Sequence, residues 1–270
     1  MTGGPERTLI GVDAGATHTT AAVADANGTV FVRAEGPPGA VRPGDAAGAA
    51  ARIVTTCREA LVKAERDVRG DVLVVGAAGA GREGERLALE AALEACRLAP
   101  RVHVTTDGAI ALQAAFGDAT GIVLLAGTGS IAWARLPGGE TARVGGLGPA
   151  LGDHGSGYDL GRRALRAAGL AMEGMGRGTQ LAARLTQHLH VSGLDELVRW
   201  AAGADVATVA ALAAEVLAAA TAGDAVATEL ADTGADDLAR HVRALAERFP
   251  RGQTVRIALG GGLLARSEAY

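Results

Sequence analysis

Lysine is almost absent from this 270-residue sequence, and its scarcity excludes one common way of binding phosphate. The only lysine is Lys63, inside a helical pattern, whereas arginine is abundant. No GxxxxGK[ST] loop can therefore be present, and a lysine Schiff base has a single unsuitable candidate. If the protein handles phosphate groups, it must use backbone amides, hydroxyl groups, arginine or a metal ion.

Cysteines, like-charge clusters and long apolar runs are also scarce. Cys57 and Cys96 lie in helix-like segments without metal-ligand spacing, so both are expected to be buried free thiols. The net charge is −4 with no block of like charges, and nucleic acid is therefore not an expected partner. The chain starts without a secretion signal, and its most apolar run contains Glu215. A cytoplasmic protein without a membrane partner is expected.

Strand and helix patterns alternate along the chain. Strands 8–13, 19–25 and 29–35 precede a helix over about 45–68, and a strand–helix–strand segment then leads to a helix from Asp107 to about Phe116. Three more strands begin at residue 121, followed by a mainly helical region over about 155–249 and a strand over 254–261. This order predicts an α/β protein.

Two segments share one order of features. Residues 9–35 and 121–145 each read strand, glycine–threonine turn, strand, glycine turn, strand. The glycines of the two turns are 13 residues apart in the first segment and 12 in the second. This repetition predicts two facing lobes with a cleft between them. Chance repetition of turns in a chain with 40 glycines is the alternative.

The glycine–threonine turns have the composition of phosphate-binding turns. Glycine lets backbone amides approach phosphate oxygens closely, and threonine or serine hydroxyls add donors. A polyphosphate held without lysine still needs a cation, and Mg²⁺ binds through carboxylates, water and phosphate. Asp13 is predicted to hold it, and a turn-forming Asx role is the alternative. The predicted phosphate donors are Gly15 and Thr17 in one turn and Gly127, Thr128, Gly129 and Ser130 in the other.

A dinucleotide-binding oxidoreductase is a competing interpretation. The strand DVLVVG is followed by Gly79, Gly81 and Gly84 in GxGxxG spacing, and Asp107 ends the next strand 23 residues after Gly84. This interpretation leaves Asp13 and the repeated hairpins unexplained.

Four motifs in order resemble one family. DAGATHTT, LAGTGS, GGLGPALGDHGSGYDLG and ALGGGLL are similar to motifs of N-acetylglucosamine kinase-type sugar kinases, within the BadF/BadG/BcrA/BcrD group of actin-like ATPases, over about residues 9–264. The resemblance implies a duplicated ribonuclease H-like, actin-like ATPase fold with two lobes around a nucleotide cleft. The lobes are expected at 1–118 and 119–270, the second helix-rich and without a closing C-terminal helix.

The resemblance also implies roles for individual residues. Asp13 lies near the metal, while Gly15, Thr17, Gly127, Thr128 and Gly129 contact the phosphates, and Gly260 and Gly261 contact adenosine. Asp107 faces the 6-hydroxyl of the sugar and is the catalytic residue. The implied sugar contacts are Asp107, Gly146, Leu147, Gly148 and Asp153. Leu147 and His154 stand where the family usually has tryptophan and glutamate.

The chemistry of phosphoryl transfer agrees with these roles, since it needs alignment and charge neutralisation more than a strong base. Asp107 and Asp153 also precede helix patterns, so each has helix N-cap as an alternative role. The expected function is an ATP- and Mg²⁺-dependent kinase acting on the 6-hydroxyl of an amino sugar, N-acetylglucosamine first. A non-catalytic sugar or nucleotide sensor of the same fold is the other alternative, and a homodimer is left open.

Overall fold

The computed structural model describes residues 7–67, 69–265, 267 and 270. The chain divides into two compact units, residues 1–114 and 115–270, with the division inside the helix that starts at Asp107. The first unit contains strands β1 (Leu9–Ala14), β2 (Thr19–Ala24), β3 (Val30–Gly36), β4 (Val72–Ala77) and β5 (Arg101–Thr106), helices α1 (Ala46–Lys63) and α2 (Glu83–Ala95), and most of α3 (Asp107–Phe116).

The sheet of the first unit has the strand order β3-β2-β1-β4-β5. The first three strands are antiparallel neighbours, as short turns between them require, whereas β1, β4 and β5 run parallel because helices form the connections. Asp13 pairs with Gly76, and Gly76 pairs with Thr105. The carboxyl ends of three parallel strands therefore meet at one edge of the sheet, where Asp13 and Asp107 both lie.

Helix α1 covers one face of this sheet and ends earlier than its sequence pattern predicted. Its last turn closes with hydrogen bonds from the Arg66 amide to the Leu61 carbonyl and from the Glu65 amide to the Val62 carbonyl, both 3.1 Å. Glu65 has φ +52°, so this is a Schellman motif with a non-glycine residue in the left-handed conformation. The predicted helix end at Val68 lies outside the described residues.

The two cysteines differ in their burial. Cys57, on the buried face of α1, is fully covered, and burial raises the pKa of its thiol to about 12. Cys96 is partly exposed, and its Sγ donates to the Ala92 carbonyl at 3.3 Å. Both are free thiols as expected, but only Cys57 is fully buried.

The second unit repeats the first part of the first unit. Its sheet has the order β8-β7-β6-β9, in which the first three strands are antiparallel neighbours and β9 runs parallel to β6. This matches β3-β2-β1-β4 position by position, so the predicted duplication is confirmed by topology. The strands are β6 (Gly121–Ala126), β7 (Ser130–Arg135), β8 (Thr141–Gly145) and β9 (Ile257–Gly260).

Helices fill the rest of the second unit, as the sequence predicted. The 22-residue helix α9 packs its apolar face, including Leu238 and Leu245, against β6 and β7. A second apolar cluster joins α4, α5 and α8 through side chains such as Leu181, Leu185 and Val216. The helices are α4 (Gly157–Met172), α5 (Leu181–His188), α6 (Leu194–Gly203), α7 (Val206–Ala211), α8 (Ala213–Thr221), α9 (Ala225–Ala246) and the short α10 (Gly262–Ala265).

Within the described ranges, no single helix has the length and apolar character needed to cross a membrane. The segments Val206–Thr221 and Ala225–Ala246 meet that requirement only as a pair, and they are bent by 120° relative to each other.

Candidate functional site

The turn between β1 and β2 presents unpaired amides at its tip. The Gly15 amide donates to the His18 carbonyl at 3.0 Å and closes the turn, while the Gly15 carbonyl accepts from the Ala40 amide at 3.1 Å. Among the residues that the structure describes, the Ala16 and Thr17 amides have no acceptor. Gly15 therefore shapes the turn, and the two amides after it are the donors offered to a ligand.

The turn between β6 and β7 is built in the same way. The Gly127 amide donates to the Gly129 carbonyl at 2.9 Å, and no acceptor for the Thr128 and Gly129 amides lies in the described part of the chain. The Gly127 carbonyl accepts from Gly157 at 2.8 Å and the Thr128 carbonyl from Tyr158 at 3.2 Å. Both donors are in the first turn of α4. The positive end of that helix dipole therefore lies beside the turn, which favours an anionic ligand.

Asp13 and Asp107 act on each other at the strand edge of the first unit. Partial burial of its carboxylate raises the pKa of Asp13, and the negative charge of Asp107 raises it further, whereas the charge of His18 opposes both. The Asp13 residue as a whole is exposed to solvent. The Asp13 carboxylate beside a phosphate-type turn is an oxygen donor that suits a hard cation such as Mg²⁺, and a cation there would relieve the repulsion between Asp13 and Asp107.

Neither Asp107 nor Asp153 caps a helix, so that alternative is wrong for both. Helix α3 is capped by the Thr106 hydroxyl, which accepts from the Ala109 amide at 3.1 Å, and Asp107 is the first helical residue. Helix α4 is capped by Ser156, whose Oγ accepts from the Asp159 amide at 3.2 Å. Asp107 Oδ1 instead accepts from the amide of Gly108 in the first turn of α3 at 2.8 Å.

Asp153 lies against the second phosphate-type turn. It is only 7% exposed, has φ +58°, and its Oδ1 accepts from the Ser130 amide at 3.2 Å. A Cβ added to Gly129 would lie 2.9 Å from the same oxygen. Burial raises the pKa of Asp153, whereas the hydrogen bond from the Ser130 amide and the charges of His154 and His241 lower it. Aspartate is among the non-glycine residues that adopt this left-handed conformation more often than most.

Ser130 connects this turn to the segment Gly146–Gly152, which we call the acceptor loop. The Ser130 carbonyl accepts from the Gly146 amide at 2.9 Å, and its Oγ donates to the His154 carbonyl at 2.7 Å. Ser130 is 2% exposed, so its predicted role as a hydroxyl donor to phosphate gives way to a structural one. Leu147, in contrast, is 59% exposed and offers an apolar side chain on the loop surface.

The glycine motif after β9 lies beside the same turn. Gly260 pairs with Leu125 on β6, and Gly261 has φ +92°. A Cβ on Gly261 would lie 2.3 Å from the Ala126 carbonyl oxygen, and one on Gly127 would lie 3.7 Å from the Gly262 nitrogen. The second unit therefore brings together four segments that are distant in sequence: the Gly127–Gly129 turn, Asp153, the acceptor loop and the Gly260–Gly262 motif.

The dinucleotide fingerprint does not fit this structure. A Cβ on Gly79 would lie 2.1 Å from the Val41 carbonyl oxygen, and the Val41 amide donates to the Ala78 carbonyl at 2.9 Å. Gly79 therefore accommodates a neighbouring loop of the chain. The antiparallel β1–β2–β3 segment also departs from a doubly wound parallel sheet.

A second group of ionisable side chains has metal-like spacing but is neutralised by arginine. His154, Asp159 and Asp237 offer ligand atoms within 4.8 Å of one another. Arg163 lies 2.7 Å from both carboxylates, so it occupies the position that a cation would need. This group is an ion-pair network that ties α4 to α9.

Two units of the same topology, each with a glycine–threonine turn after its first strand, define the actin-like class of ATPases. The family model of the BadF/BadG/BcrA/BcrD ATPase family matches residues 10–270, and the chain belongs to that family. The resemblance seen in the four sequence motifs is thereby confirmed.

Individual relatives are kinases by name. The chain is 29% identical over 195 residues to the N-acetylmuramic acid/N-acetylglucosamine kinase of Clostridium acetobutylicum, covering 71% of this chain and 64% of that protein. It is 29% identical over 203 residues to the N-acetyl-D-glucosamine kinase of Dictyostelium discoideum, covering 72% and 64%. The chain thus spans slightly less than two thirds of these curated relatives. A solved structure from Chromobacterium violaceum, proposed to be an N-acetylglucosamine kinase, has 29% identity and a TM-score of 0.84, covering 95% of this chain and 88% of that one.

Proposed function

We propose that this protein is a sugar kinase that transfers the γ-phosphoryl group of ATP to the 6-hydroxyl of an amino sugar, with N-acetylglucosamine as the first candidate. The observation that carries the proposal is the pair of turns whose tip amides have no acceptor among the described residues, together with the position of Asp107 at the strand ends beside Asp13. The names of the three relatives support the amino-sugar acceptor.

Phosphate binding is assigned to both turns. The amides of Ala16 and Thr17 in one turn and of Thr128 and Gly129 in the other would donate to phosphate oxygens. The amino end of α4 beside the second turn adds a favourable field. These donors replace the lysine that the sequence lacks. ATP as the donor agrees with the cytoplasmic location expected from the sequence.

Asp13 would hold Mg²⁺, directly or through water. When bound, Mg²⁺ supplies neutralisation of the negative charge on the phosphate oxygens. The raised pKa of Asp13, caused by burial and by the charge of Asp107, supports a site where a cation relieves carboxylate repulsion.

Asp107 would orient the 6-hydroxyl and accept its proton late in the reaction. A weakly basic carboxylate suffices because the transition state for phosphoryl transfer is loose and bond formation to the acceptor lags behind. The position of Asp107 favours this role, because Asp107 begins α3 at the end of the sheet where the carboxyl end of β1 also lies.

The sugar contacts are assigned to the acceptor loop and Asp153. The buried Asp153 carboxylate accepts hydrogen bonds, which suits sugar hydroxyls. Gly146 and Gly148 would present backbone groups, and the exposed Leu147 side chain would cover an apolar part of the sugar.

The test is an ADP-release assay with a panel of hexoses and hexosamines, comparing the wild type, Asp107→Asn and the control Asp232→Asn. Asp232 is an exposed carboxylate on α9. Asp107→Asn should lower kcat by roughly 10² to 10⁴ while ATP affinity stays nearly unchanged. Unchanged turnover would remove Asp107 from the mechanism. Binding of ATP and sugar without ADP release would favour a sensor, and failure to bind adenine nucleotide with divalent cation would overturn the proposal.

A further inference from the structure

A buried histidine lies behind the acceptor loop, in the interior of the second unit. His241 is on α9 and is 7% exposed. Its Nδ1 lies 2.8 Å from the Asp237 carbonyl of the same helix. Because a carbonyl oxygen only accepts, Nδ1 carries the proton, and the Nε2 edge of the ring is left to face the rest of the unit.

The Nε2 edge packs against the start of the acceptor loop. A Cβ added to Gly145 would lie 2.7 Å from both Cδ2 and Nε2 of His241, so the ring is in close contact with this backbone. Gly145 ends β8 with φ +81°, and the next amide, that of Gly146, donates to the Ser130 carbonyl. The imidazole therefore supports the point at which the chain leaves the sheet and enters the loop.

Asp153 is linked to the same point through Ser130, whose amide donates to Asp153 Oδ1. The charge of His241 also lowers the pKa of Asp153, together with that of His154. The other charges that act on the pKa of Asp153 are those of His154, which lowers it, and Asp159, which raises it. The carboxylate of Asp237, on the same helix as His241, is occupied by Arg163 and Arg240.

We infer that His241 is a positioning residue for the sugar site, holding the Gly145–Gly146 turn and the Asp153 carboxylate in the arrangement that binds the acceptor. This inference rests on the proposed function. It predicts that changes at His241 act on sugar binding more than on nucleotide binding, since the carbonyl groups of Gly127 and Thr128 are held by the first turn of α4.

The experiment compares His241→Asn with His241→Gln. The asparagine amide can keep the hydrogen bond that Nδ1 makes but leaves the space at Nε2 empty, whereas glutamine reaches further toward Gly145. His241→Asn should raise the KM for the sugar about tenfold, the effect of losing roughly 1.4 kcal/mol of binding, with the KM for ATP unchanged. His241→Gln should restore part of the loss.

The pH profile separates positioning from a purely structural role. Without the charge of His241 the pKa of Asp153 rises, so the acid limb of kcat/KM for the sugar should move to higher pH in both variants. Val242→Ala, at the next position of α9 and half-buried in the same core, is the control for lost stability. If the His241 variants lose stability as Val242→Ala does but keep the wild-type KM and pH profile, the inference is wrong. If the wild type neither phosphorylates nor binds any sugar, the proposed function fails as well.

Discussion

Gly261→Ala is the substitution for which the structure gives the sharpest prediction. Gly261 follows β9 with φ +92°, and a Cβ at this position would lie 2.3 Å from the Ala126 carbonyl oxygen. Ala126 ends β6, immediately before the phosphate-type turn at Gly127. The obstruction is backbone, which cannot rotate away as a side chain can.

The magnitude follows from two costs. An L-residue in a backbone conformation that strongly favours glycine costs about 1–3 kcal/mol. Forcing apart the closely packed ends of β6 and β9 costs a further ~1–3 kcal/mol. The expected destabilisation is therefore about 2–6 kcal/mol, a large part of the stability of an ordinary domain of ~5–15 kcal/mol. Part of the strain should appear as a displaced Gly127 turn and as ATP affinity weakened about tenfold, equivalent to ~1.4 kcal/mol.

The assay is urea unfolding and ATP titration of Gly261→Ala beside its neighbour Gly262→Ala. Gly262 begins α10, has no positive φ, and a Cβ there would have no atom within 4 Å, so its variant should behave as the wild type. Equal unfolding midpoints and equal ATP affinities for the two variants would refute the idea that close approach at Gly261 holds the nucleotide motif against the turn.

Further predictions concern the ion-pair network and the thiols. Arg163→Met removes the partner that the nearly buried carboxylates of Asp159 and Asp237 share, and should destabilise the fold by about 1.5–3 kcal/mol in urea unfolding. The loss is not larger because Arg162 and Arg240 still contact these carboxylates. Burial opposes ionisation of Asp159, but hydrogen bonds from Gly155 and Arg163 lower its pKa. The ionised Asp159 carboxylate therefore stabilises the fold fully above the pKa of ~4 that it has in the unfolded chain. This stabilisation is lost as the pH falls through the lower pKa of the folded state. Unfolding midpoints should fall in that acid range, and a midpoint independent of pH below 4 would contradict this. Because its pKa is about 12, Cys57 should react with a thiol reagent at pH 8 only after denaturation, and fast labelling of the native protein at Cys57 would show that the helix opens.

Local sequence patterns were sufficient for most elements of the fold. Helix α3 occupies residues 107–116, as predicted, because β5, a strand rich in β-branched residues, leads directly into an alanine-rich helix. The repeated order of strands and glycine turns likewise predicted the two related sheets. Secondary-structure propensities and turn preferences depend on only a few neighbouring residues, so they can be recognised from the sequence alone.

The errors arose where a choice among neighbouring residues depended on hydrogen-bond geometry. Thr106 and not Asp107 caps α3, because its hydroxyl is the group that reaches the amide of the third following residue. Helix α1 ends in a Schellman motif at Glu65, where no glycine marks the end. A sequence pattern favours neighbouring residues almost equally as the start or end of a helix, and the packing of the rest of the unit decides which residue it is.

The sequence alone therefore determined the order of the elements, their duplication, the family motifs and the absence of a lysine-based phosphate loop. Only the tertiary structure decided that Asp153 lies against Gly129, that Gly261 lies against Ala126, and that the His241 imidazole supports the start of the acceptor loop. In the order given, these three contacts join residues that are 24, 135 and 96 positions apart in the sequence. Contacts of that range depend on how strands and helices pack as layers, and no local pattern of residues encodes them.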